Sequence, residues 1–376
     1  MPDSNLIPDE SREQAIAYAE LILGPAGINA EPGDIISRTV IPSQTSGAEH
    51  PFVGLLREVG LSLDIQVISG PSENGRIVLK PPEAPPLGVP TDPTYFQGGW
   101  PLAQTIAPIP TSGWIDEYFA GDAGSAWTAL YEVMRLGEGG APAWERRFKL
   151  LESVAASLQA LDLGALHFES PSGGTSLTVP LASGSKWTSP RAISQAGTMF
   201  TPNLPCEEVF ATPDMARVEG VARTTRPMRW EEGAAPAGEV TFEFTPGQEG
   251  RVEASDPRLV AHLESKAGQL QLGEVALVDA DSAAKRSGHA AFGDTVLDEN
   301  AYSHLAIGPA LPMAYEPGAT GVNRSEESLH IDFVIGTDDL VVTGETRSGE
   351  TVEILVAGRW GERVDPSDAD GVEGER

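Results

Sequence analysis

The length, composition and charge of this chain exclude several classes of protein. Its 376 residues exceed what a single hydrophobic core usually supports, so two domains are expected. The formal net charge of −30 argues against binding to nucleic acid or to an anionic membrane surface. One cysteine, Cys206, excludes an intramolecular disulfide and a metal site built from several thiolates. With six histidines in the chain, a metal site would have to rely on carboxylates.

The sequence also lacks the features of a membrane or secreted protein. It contains no apolar run long enough to cross a bilayer. Its first four residues, MPDS, are polar and acidic, unlike the start of a signal peptide. We therefore expect a soluble protein that stays in the cytoplasm.

The first part of the chain has an α/β pattern. Apolar residues at helical spacing predict helices over residues 11–24 and 49–60, and residues 63–69 and 76–80 read as strands. Proline is frequent over residues 80–93, and glycine and proline continue to about residue 112, which is typical of a segment between domains. We predict an α/β N-terminal domain over residues 1–110.

The second part is predicted to be a larger α+β domain over residues 111–360. It begins with two amphipathic helices, 125–136 and 143–161, and is then rich in strands, with helices after Pro257 and over residues 300–307. Residues 361–376 form an acidic tail with few large apolar residues, and we expect it to be disordered. The predicted strands cover residues 165–168, 176–179, 239–244, 272–278, 329–335 and 340–343.

The segment LHIDF, residues 329–333, is the strongest local indication of chemistry. Alternate residues of a strand share a face, so His330 and Asp332 would lie together, about 6.5–7 Å apart along the strand. That spacing allows both side chains to bind one metal ion. The pattern alone is also compatible with a solvated strand face that bears two polar residues.

Three further segments carry candidate ligands, and each has a plain structural alternative. Glu274 interrupts an apolar strand, where a carboxylate is costly unless it is paired, bound to a metal or at a wet edge. His304 lies in a predicted short helix over residues 298–308 and could be a ligand or a structural histidine. Glu207 and Glu208 follow a rigid turn, where one acid could bind metal and the other transfer a proton, or both could be surface acids.

Taken together and in order, these segments resemble the M29 family of metallopeptidases, the aminopeptidase T and aminopeptidase S type. Residues 203–213 resemble its N-x-P-T-E-E-V-F-T-x-P motif, and residues 272–278 its L-G-E-V-A-L-V strand. Residues 298–308 resemble its D-E-N-A-x-x-H-L-A-x-G segment, and residues 330–336 its H-x-D-F-x-I-G strand. The resemblance covers roughly residues 110–360 and is faint before them.

The resemblance implies a dinuclear hydrolase that removes the N-terminal residue of a short peptide or cleaves a related small amide. It implies two divalent ions, such as zinc, cobalt or manganese, and a homodimer that encloses its active site. Glu207 is the candidate for proton transfer. The metal ligands implied by the resemblance are Glu208, Glu274, His304, His330 and Asp332.

The sequence departs from the family pattern near the expected site. The family places a tyrosine seven residues after the histidine of its third motif, where this chain has Leu311. Tyr315 or Tyr302 could replace its hydroxyl, and Cys206 stands where the family has threonine. These changes suggest a specialised hydrolase. Two alternatives remain: a mononuclear iron dioxygenase that cleaves dihydroxypyridine rings on the same fold, or a catalytically inactive binding relative.

Overall fold

The computed structural model describes most of the chain, namely residues 6–40, 50–81, 99–231, 235–326 and 328–365. Most of the proline-rich segment 80–93 and residues 366–376 of the predicted tail lie outside the described residues. Within the described part, no helix is long and apolar enough to pass through a bilayer.

Eight α-helices occur in the described residues, together with short 3₁₀ helices at Asp9–Ser11, Leu136–Glu138 and Pro312–Ala314. Several helices begin at an aspartate whose carboxylate accepts hydrogen bonds from the first turn, as Asp122 does from the N–H groups of Gly124 and Ser125. The helices are α1 Arg12–Leu23, α2 Pro51–Ser62, α3 Ser112–Tyr118, α4 Ala123–Val133, α5 Ala141–Ala160, α6 Pro257–Glu264, α7 Ala283–Arg286 and α8 Thr295–Glu299.

Twenty strands in the described residues form three larger sheets and two short ribbons. In chain order they are β1 Ile35–Val40, β2 Gln66–Ile68, β3 Gly75–Lys80, β4 Gln104–Pro108, β5 Leu163–Ser170, β6 Thr175–Pro180, β7 Ser183–Ser185, β8 Ala192–Ile193, β9 Met199–Phe200, β10 Glu208–Ala211, β11 Glu219–Arg223, β12 Val240–Phe244, β13 Arg251–Ala254, β14 Leu272–Val278, β15 His304–Ile307, β16 Tyr315–Thr320, β17 Ile331–Val334, β18 Val341–Thr346, β19 Thr351–Val356 and β20 Arg359–Trp360.

The first sheet is parallel, with strand order β2-β1-β3-β4, and it belongs to the predicted α/β region. Along β3, Ile77 and Leu79 point into a hydrophobic core that the helices α1 to α5 complete. The alternate residues Arg76, Val78 and Lys80 point to the other face. The sheet therefore has one face against its core and one face against a cavity.

The second core lies between two antiparallel sheets. One has eight strands in the order β13-β12-β11-β6-β5-β18-β19-β20, and the other has four in the order β10-β14-β15-β17. The rings of Phe242 on β12 and Phe333 on β17 meet across the interface, with centroids 4.4 Å apart. Helix α5 connects the two cores, because Trp144 and Phe148 belong to the first and Leu158 to the second.

The structure confirms most predicted elements within a few residues and corrects one beside the site. The predicted helix over residues 300–307 is wrong, because α8 ends at Glu299 and His304–Ile307 is strand β15. Strand β15 is buried between β14 and β17, which satisfy its backbone hydrogen bonds on both sides. Tertiary pairing thus overrides a local helical pattern.

Candidate metal centre

The four-stranded sheet β10-β14-β15-β17 presents a different chemistry on each of its faces. Directly paired residues of a ladder point to the same face, and Phe210, Ala276, His304 and Val334 form one such row. The opposite face enters the second core, through residues that alternate with this row. They are Val209, Ala211, Val275, Leu277, Leu305, Ile307, Ile331 and Phe333.

The polar face brings the five sequence-predicted ligands together. Glu208 is the first residue of β10, and Glu274, His304 and Asp332 lie on the same face of β14, β15 and β17. His330 precedes β17 by one residue and keeps the two-residue spacing from Asp332 that the sequence suggested. The His330 Nε2 and Asp332 Oδ1 atoms are 3.2 Å apart.

Glu274 stands between two groups of possible ligands. Ligand atoms of Glu208, Glu274 and His304 lie within 4.8 Å of one another, and so do those of Glu274, His330 and Asp332. Glu274 Oε1 is 3.7 Å from His304 Nε2, whereas its Oε2 is 3.2 Å from His330 Nε2. One carboxylate therefore faces both imidazoles, one with each oxygen.

A small side chain keeps the space between Glu274 and Asp332 open. Ala306 pairs with Glu274 on one side and with Asp332 on the other, and it points to the same face. Its methyl group fills little of the volume between the two acids. The pairing of the strands thus places a small residue between these two acids, which leaves space for ions.

The hydrogen bonds of the site suit bound cations. Among the described residues, Oε2 of Glu208 and Oε2 of Glu274 are buried without a hydrogen-bond partner. His330 Nδ1 lies 2.8 Å from the carbonyl oxygen of Pro309, so its N–H is directed there and the Nε2 lone pair faces the carboxylates. Buried carboxylates and imidazole lone pairs in contact require a proton or a cation between them, and a divalent metal ion fits this donor set.

The charges of the site also favour a bound cation. Burial alone lowers the pKa of both imidazoles, but the neighbouring carboxylates outweigh it and raise the pKa of His304 and His330 well above the usual value. Burial, with Glu274 and Asp332 close by, also raises the pKa of the Glu208 carboxyl despite its contact with His304. Both imidazoles are therefore favoured in their protonated form, which shows that the surrounding carboxylates favour positive charge at this site.

The predicted role of Glu207 in proton transfer is wrong, because its side chain points away from the site. Glu207 immediately precedes β10 and is fully buried on the side of Arg135 and Arg147. Its carboxylate accepts hydrogen bonds from Arg135 at 2.7 and 3.0 Å and from Arg147 at 2.7 Å. The N–H of Ala283 donates a further bond of 2.9 Å. Glu207 therefore anchors the segment that carries Glu208.

The arginine pair extends this anchor into the body of the protein. Arg147 also donates two hydrogen bonds, of 2.8 and 2.9 Å, to the carboxylate of Asp279, which follows β14. Burial lowers the pKa of Arg147, but the charges of Glu207 and Asp279 outweigh it and raise the pKa, so the guanidinium stays charged. Helix α5 is thus joined to both β10 and β14 beneath the site.

A cavity of about 840 Å³ opens over the polar face, between it and the first sheet. All five candidate ligands contribute to its wall, as do Cys206, Leu311 and Tyr315. Tyr302 is not among the lining residues, and its hydroxyl is 3.2 Å from Asp338 Oδ1 instead. Of the two tyrosines considered from the sequence, only Tyr315 lines the cavity.

Glu299 is a site residue that the sequence reasoning did not single out. It is the last residue of α8, is buried, and lines the same cavity. Burial raises its pKa well above the usual value, and the nearby charges of Asp332 and Glu208 add to the effect. The signal was available, because Glu299 belongs to the D-E-N-A segment quoted for His304.

The adjacent acids Glu207 and Glu208 offer a matched pair of substitutions. We expect Glu207→Gln to lower the free energy of unfolding by about 3–5 kcal/mol, because it leaves two buried arginines with one carboxylate too few. We expect Glu208→Gln to lower the metal-free stability much less, because it removes only the contact with His304, and to reduce metal uptake. Urea denaturation of the chelated proteins and metal analysis of the loaded ones would measure both. A Glu207→Gln protein with wild-type stability would contradict the anchoring role.

Comparison with known proteins places this arrangement in a family. The family model described as thermophilic metalloprotease (M29) matches residues 101–360, which include all five candidate ligands. Aminopeptidase T of Thermus aquaticus is 34% identical over 278 residues, covering 71% of this chain and 66% of its own length. Aminopeptidase 2 of Geobacillus stearothermophilus is 32% identical over 272 residues, covering 68% of this chain and 64% of its own. The matches thus span slightly less than two thirds of these relatives.

The fold is similar to that of a solved relative. The structure of wild-type AmpT from Thermus thermophilus superposes with a TM-score of 0.72 at 27% identity, covering 93% of this chain and 99% of that chain. The family model matches well over half of the sequence, and the relatives exceed 30% identity. On these grounds the chain belongs to the M29 family of metalloproteases.

Proposed function

We propose that this protein is a metal-dependent aminopeptidase that removes the N-terminal residue of short peptides or cleaves a related small amide with a metal-activated water. The observation that carries the proposal is the convergence of five ligand side chains, four of them buried, on one sheet face inside a cavity. The names of the relatives, aminopeptidase T and aminopeptidase 2, support the same reaction. A cavity of this size suits a small ligand and excludes a folded protein.

We further propose that the centre holds two divalent ions, of zinc, cobalt or manganese. Glu208 and His304 would bind one ion, His330 and Asp332 the other, and Glu274 would bridge them, as its two oxygens face the two histidines. Ions bound in such a pair polarise a scissile carbonyl and lower the pKa of a bound water. The identity of the metal is open because carboxylate and imidazole ligands suit several divalent ions.

Metal removal tests this proposal directly. We expect chelation to abolish hydrolysis of leucine p-nitroanilide, and zinc, cobalt or manganese to restore it, because the ions activate the water. Plasma mass spectrometry of the active protein should find about two ions per chain. Hydrolysis that survives complete removal of metal would refute the proposal.

We propose that Glu299 transfers the proton that Glu207 cannot reach. A general base must stand within hydrogen-bond reach of the attacking water, and Glu299 is a buried carboxyl on the cavity wall beside the ligands. Its carboxylate would take a proton from the water and deliver it to the departing amine. Glu207, by contrast, is held by two arginines behind the sheet.

Replacement of this carboxyl separates proton transfer from metal binding. We expect Glu299→Gln to lower kcat by about 10²–10⁴-fold, because the amide cannot accept the proton of the water. The metal content should stay at the wild-type level, since the five ligands remain. A variant that loses metal in proportion to activity would instead assign Glu299 to metal binding.

Tyr315 is our candidate for the hydroxyl that Leu311 cannot supply. Its side chain is buried on the cavity wall, and β16, which begins at Tyr315, pairs with β7. The guanidinium of Arg324 lies over the ring, 5.0 Å from its centroid, and helps to fix its orientation. We propose that the hydroxyl donates a hydrogen bond to the oxygen that becomes negatively charged during attack.

Two tyrosine variants test this assignment against each other. We expect Tyr315→Phe to lower kcat by roughly 10²–10³-fold, which is the usual cost of losing one such donor. Tyr302→Phe is the control, because its hydroxyl faces Asp338 outside the cavity. Steady-state kinetics on leucine p-nitroanilide would compare them. Equal activity of Tyr315→Phe and the wild type would refute the role.

The cavity wall beside the ligands gives the substrate an apolar contact. Phe210, Ala276 and Ala314 form a small hydrophobic cluster, against which Leu311 and Met313 pack. We propose that this surface receives the side chain of the residue to be removed, and that it suits an apolar one. The loss of the family tyrosine at Leu311 still favours a specialised substrate range, which rapid turnover of many ordinary dipeptides would contradict.

The ring-cleaving dioxygenase is not favoured, because the family match and the two glutamates among the five ligands support the hydrolase. A measured content of about one iron per chain, together with oxygen uptake in the presence of a dihydroxypyridine, would favour the dioxygenase instead. A protein that takes up no metal would favour an inactive binding relative.

We retain three further proposals from the sequence. They are a division into domains at residues 1–110 and 111–360, a homodimer, and a cytoplasmic location. The two hydrophobic cores support a division of the chain into domains. Light scattering of the purified protein would measure the oligomeric state.

A further inference from the structure

The wall of the cavity carries both acidic and basic side chains. The acidic metal centre occupies one side, and four basic side chains contribute to the rest of the wall. This is notable in a chain whose formal net charge is −30. The four basic residues are Arg76, Lys80, Lys186 and Arg191.

Three of these cations have partners within the protein. Lys80 Nζ is 3.0 Å from the carboxylate of Asp294 in a fully buried ion pair. Arg191 donates hydrogen bonds of 2.6 and 2.7 Å to Glu152. The guanidinium of Arg76 donates to the side-chain oxygen of Gln104, its neighbour on β4. Their positive charges are thus already engaged or anchored.

Lys186 differs from the other three. Among the residues that the structure describes, its ammonium group has neither an ion pair nor a side-chain hydrogen bond. Its backbone is fixed, because its N–H donates a 2.8 Å hydrogen bond to the carbonyl oxygen of Ala314, next to Tyr315. A half-buried lysine on a cavity wall, held by its backbone and open at its charged end, is suited to bind an anionic group.

The position of Lys186 can be measured in strand spacings. Thr188 forms an antiparallel bridge to Phe210 of β10, and the N–H of Thr212 donates a 2.9 Å hydrogen bond to the hydroxyl of Ser185. The segment that carries Lys186 therefore runs beside β10, which pairs with β14, the strand of Glu274. Two strand spacings of about 4.8 Å each, or roughly 10 Å in total, separate this segment from β14.

That separation corresponds to a short peptide. An extended chain advances about 3.3–3.6 Å per residue, so a leaving group of one to three residues bridges the distance between a carbonyl at the metal centre and the lysine. Because the lysine side chain is flexible, its ammonium group can reach the carboxylates of leaving groups that differ in length. The free amine of such a peptide is attracted to the acidic centre, and its carboxylate to the lysine.

We infer that Lys186 binds the free C-terminal carboxylate of short peptide substrates and so selects di- and tripeptides over longer or amidated ones. The inference rests on the proposed aminopeptidase function. Lys186 acts here in binding and not in the chemical step. Its loss should therefore raise KM and leave kcat largely unchanged.

Substrates with and without the carboxylate test the inference. The metal-loaded protein would be assayed on dileucine and trileucine, on the C-terminal amides of both, and on leucine p-nitroanilide. We expect the wild type to favour at least one free acid over its amide by roughly ten- to a hundredfold in kcat/KM, the usual worth of a hydrogen bond to a charged group. We expect Lys186→Met to abolish this preference and to leave the anilide rate unchanged.

Two variants serve as controls. Lys186→Arg keeps the charge and should retain most of the preference, whereas Lys266→Met removes a half-buried lysine that does not line the cavity and should change nothing. Lys186→Gln repeats the neutralisation with a polar side chain in case the methionine variant folds poorly.

The possible failures are distinguishable. If the wild type does not hydrolyse the anilide, the proposed function fails. If the wild type hydrolyses it but treats acids and amides alike, or if neutral variants keep the preference, the assignment of Lys186 is overturned. An equal loss on all substrates in the neutral variants would also overturn it, because the anilide has no carboxylate to bind.

Discussion

The candidate centre depends on the two-residue period of a β-strand that is buried on both faces. In β10, β14, β15 and β17, every second side chain enters the second hydrophobic core, and the residues between them face the cavity. The core face fixes the register, because a shift by one residue would bury the acids and expose the apolar side chains. The same register therefore determines both the stability of the sheet and the geometry of the centre.

The ion-pair network beneath β10 adds a second requirement. Glu207 points to the core side and is buried between Arg135 and Arg147, while Glu208 points to the cavity. Arg147, which lies on α5, also pairs with Asp279, which follows β14. Two strands that supply ligands are thus tied to one helix by charges that water does not reach. Such a network is rigid because any displacement would leave a buried charge without its partner.

The sequence revealed the ligands better than it revealed the elements that hold them. His330 and Asp332 could be assigned to one face because strand periodicity is a local property. His304 was placed on a helix, since its neighbours have a helical pattern and only pairing with β14 and β17 makes the segment a strand. The short strand β4, Gln104–Pro108, was missed because it depends on its partner β3. Glu207 was misassigned because sequence cannot show which of two adjacent acids meets the arginines.

The adjacency of Glu207 and Glu208 has a consequence for the stability of the protein in the cell. A ligand that binds only the folded state adds RT ln(1 + [L]/Kd) to its stability. Glu207, which is anchored to α5, directly precedes the candidate ligand Glu208, so the ionic anchor limits how far that ligand can move. A metal ion bound at the proposed centre would add to the stability of the folded state in this way. The fraction of the chain that survives proteolysis would then rise with the concentration of free metal.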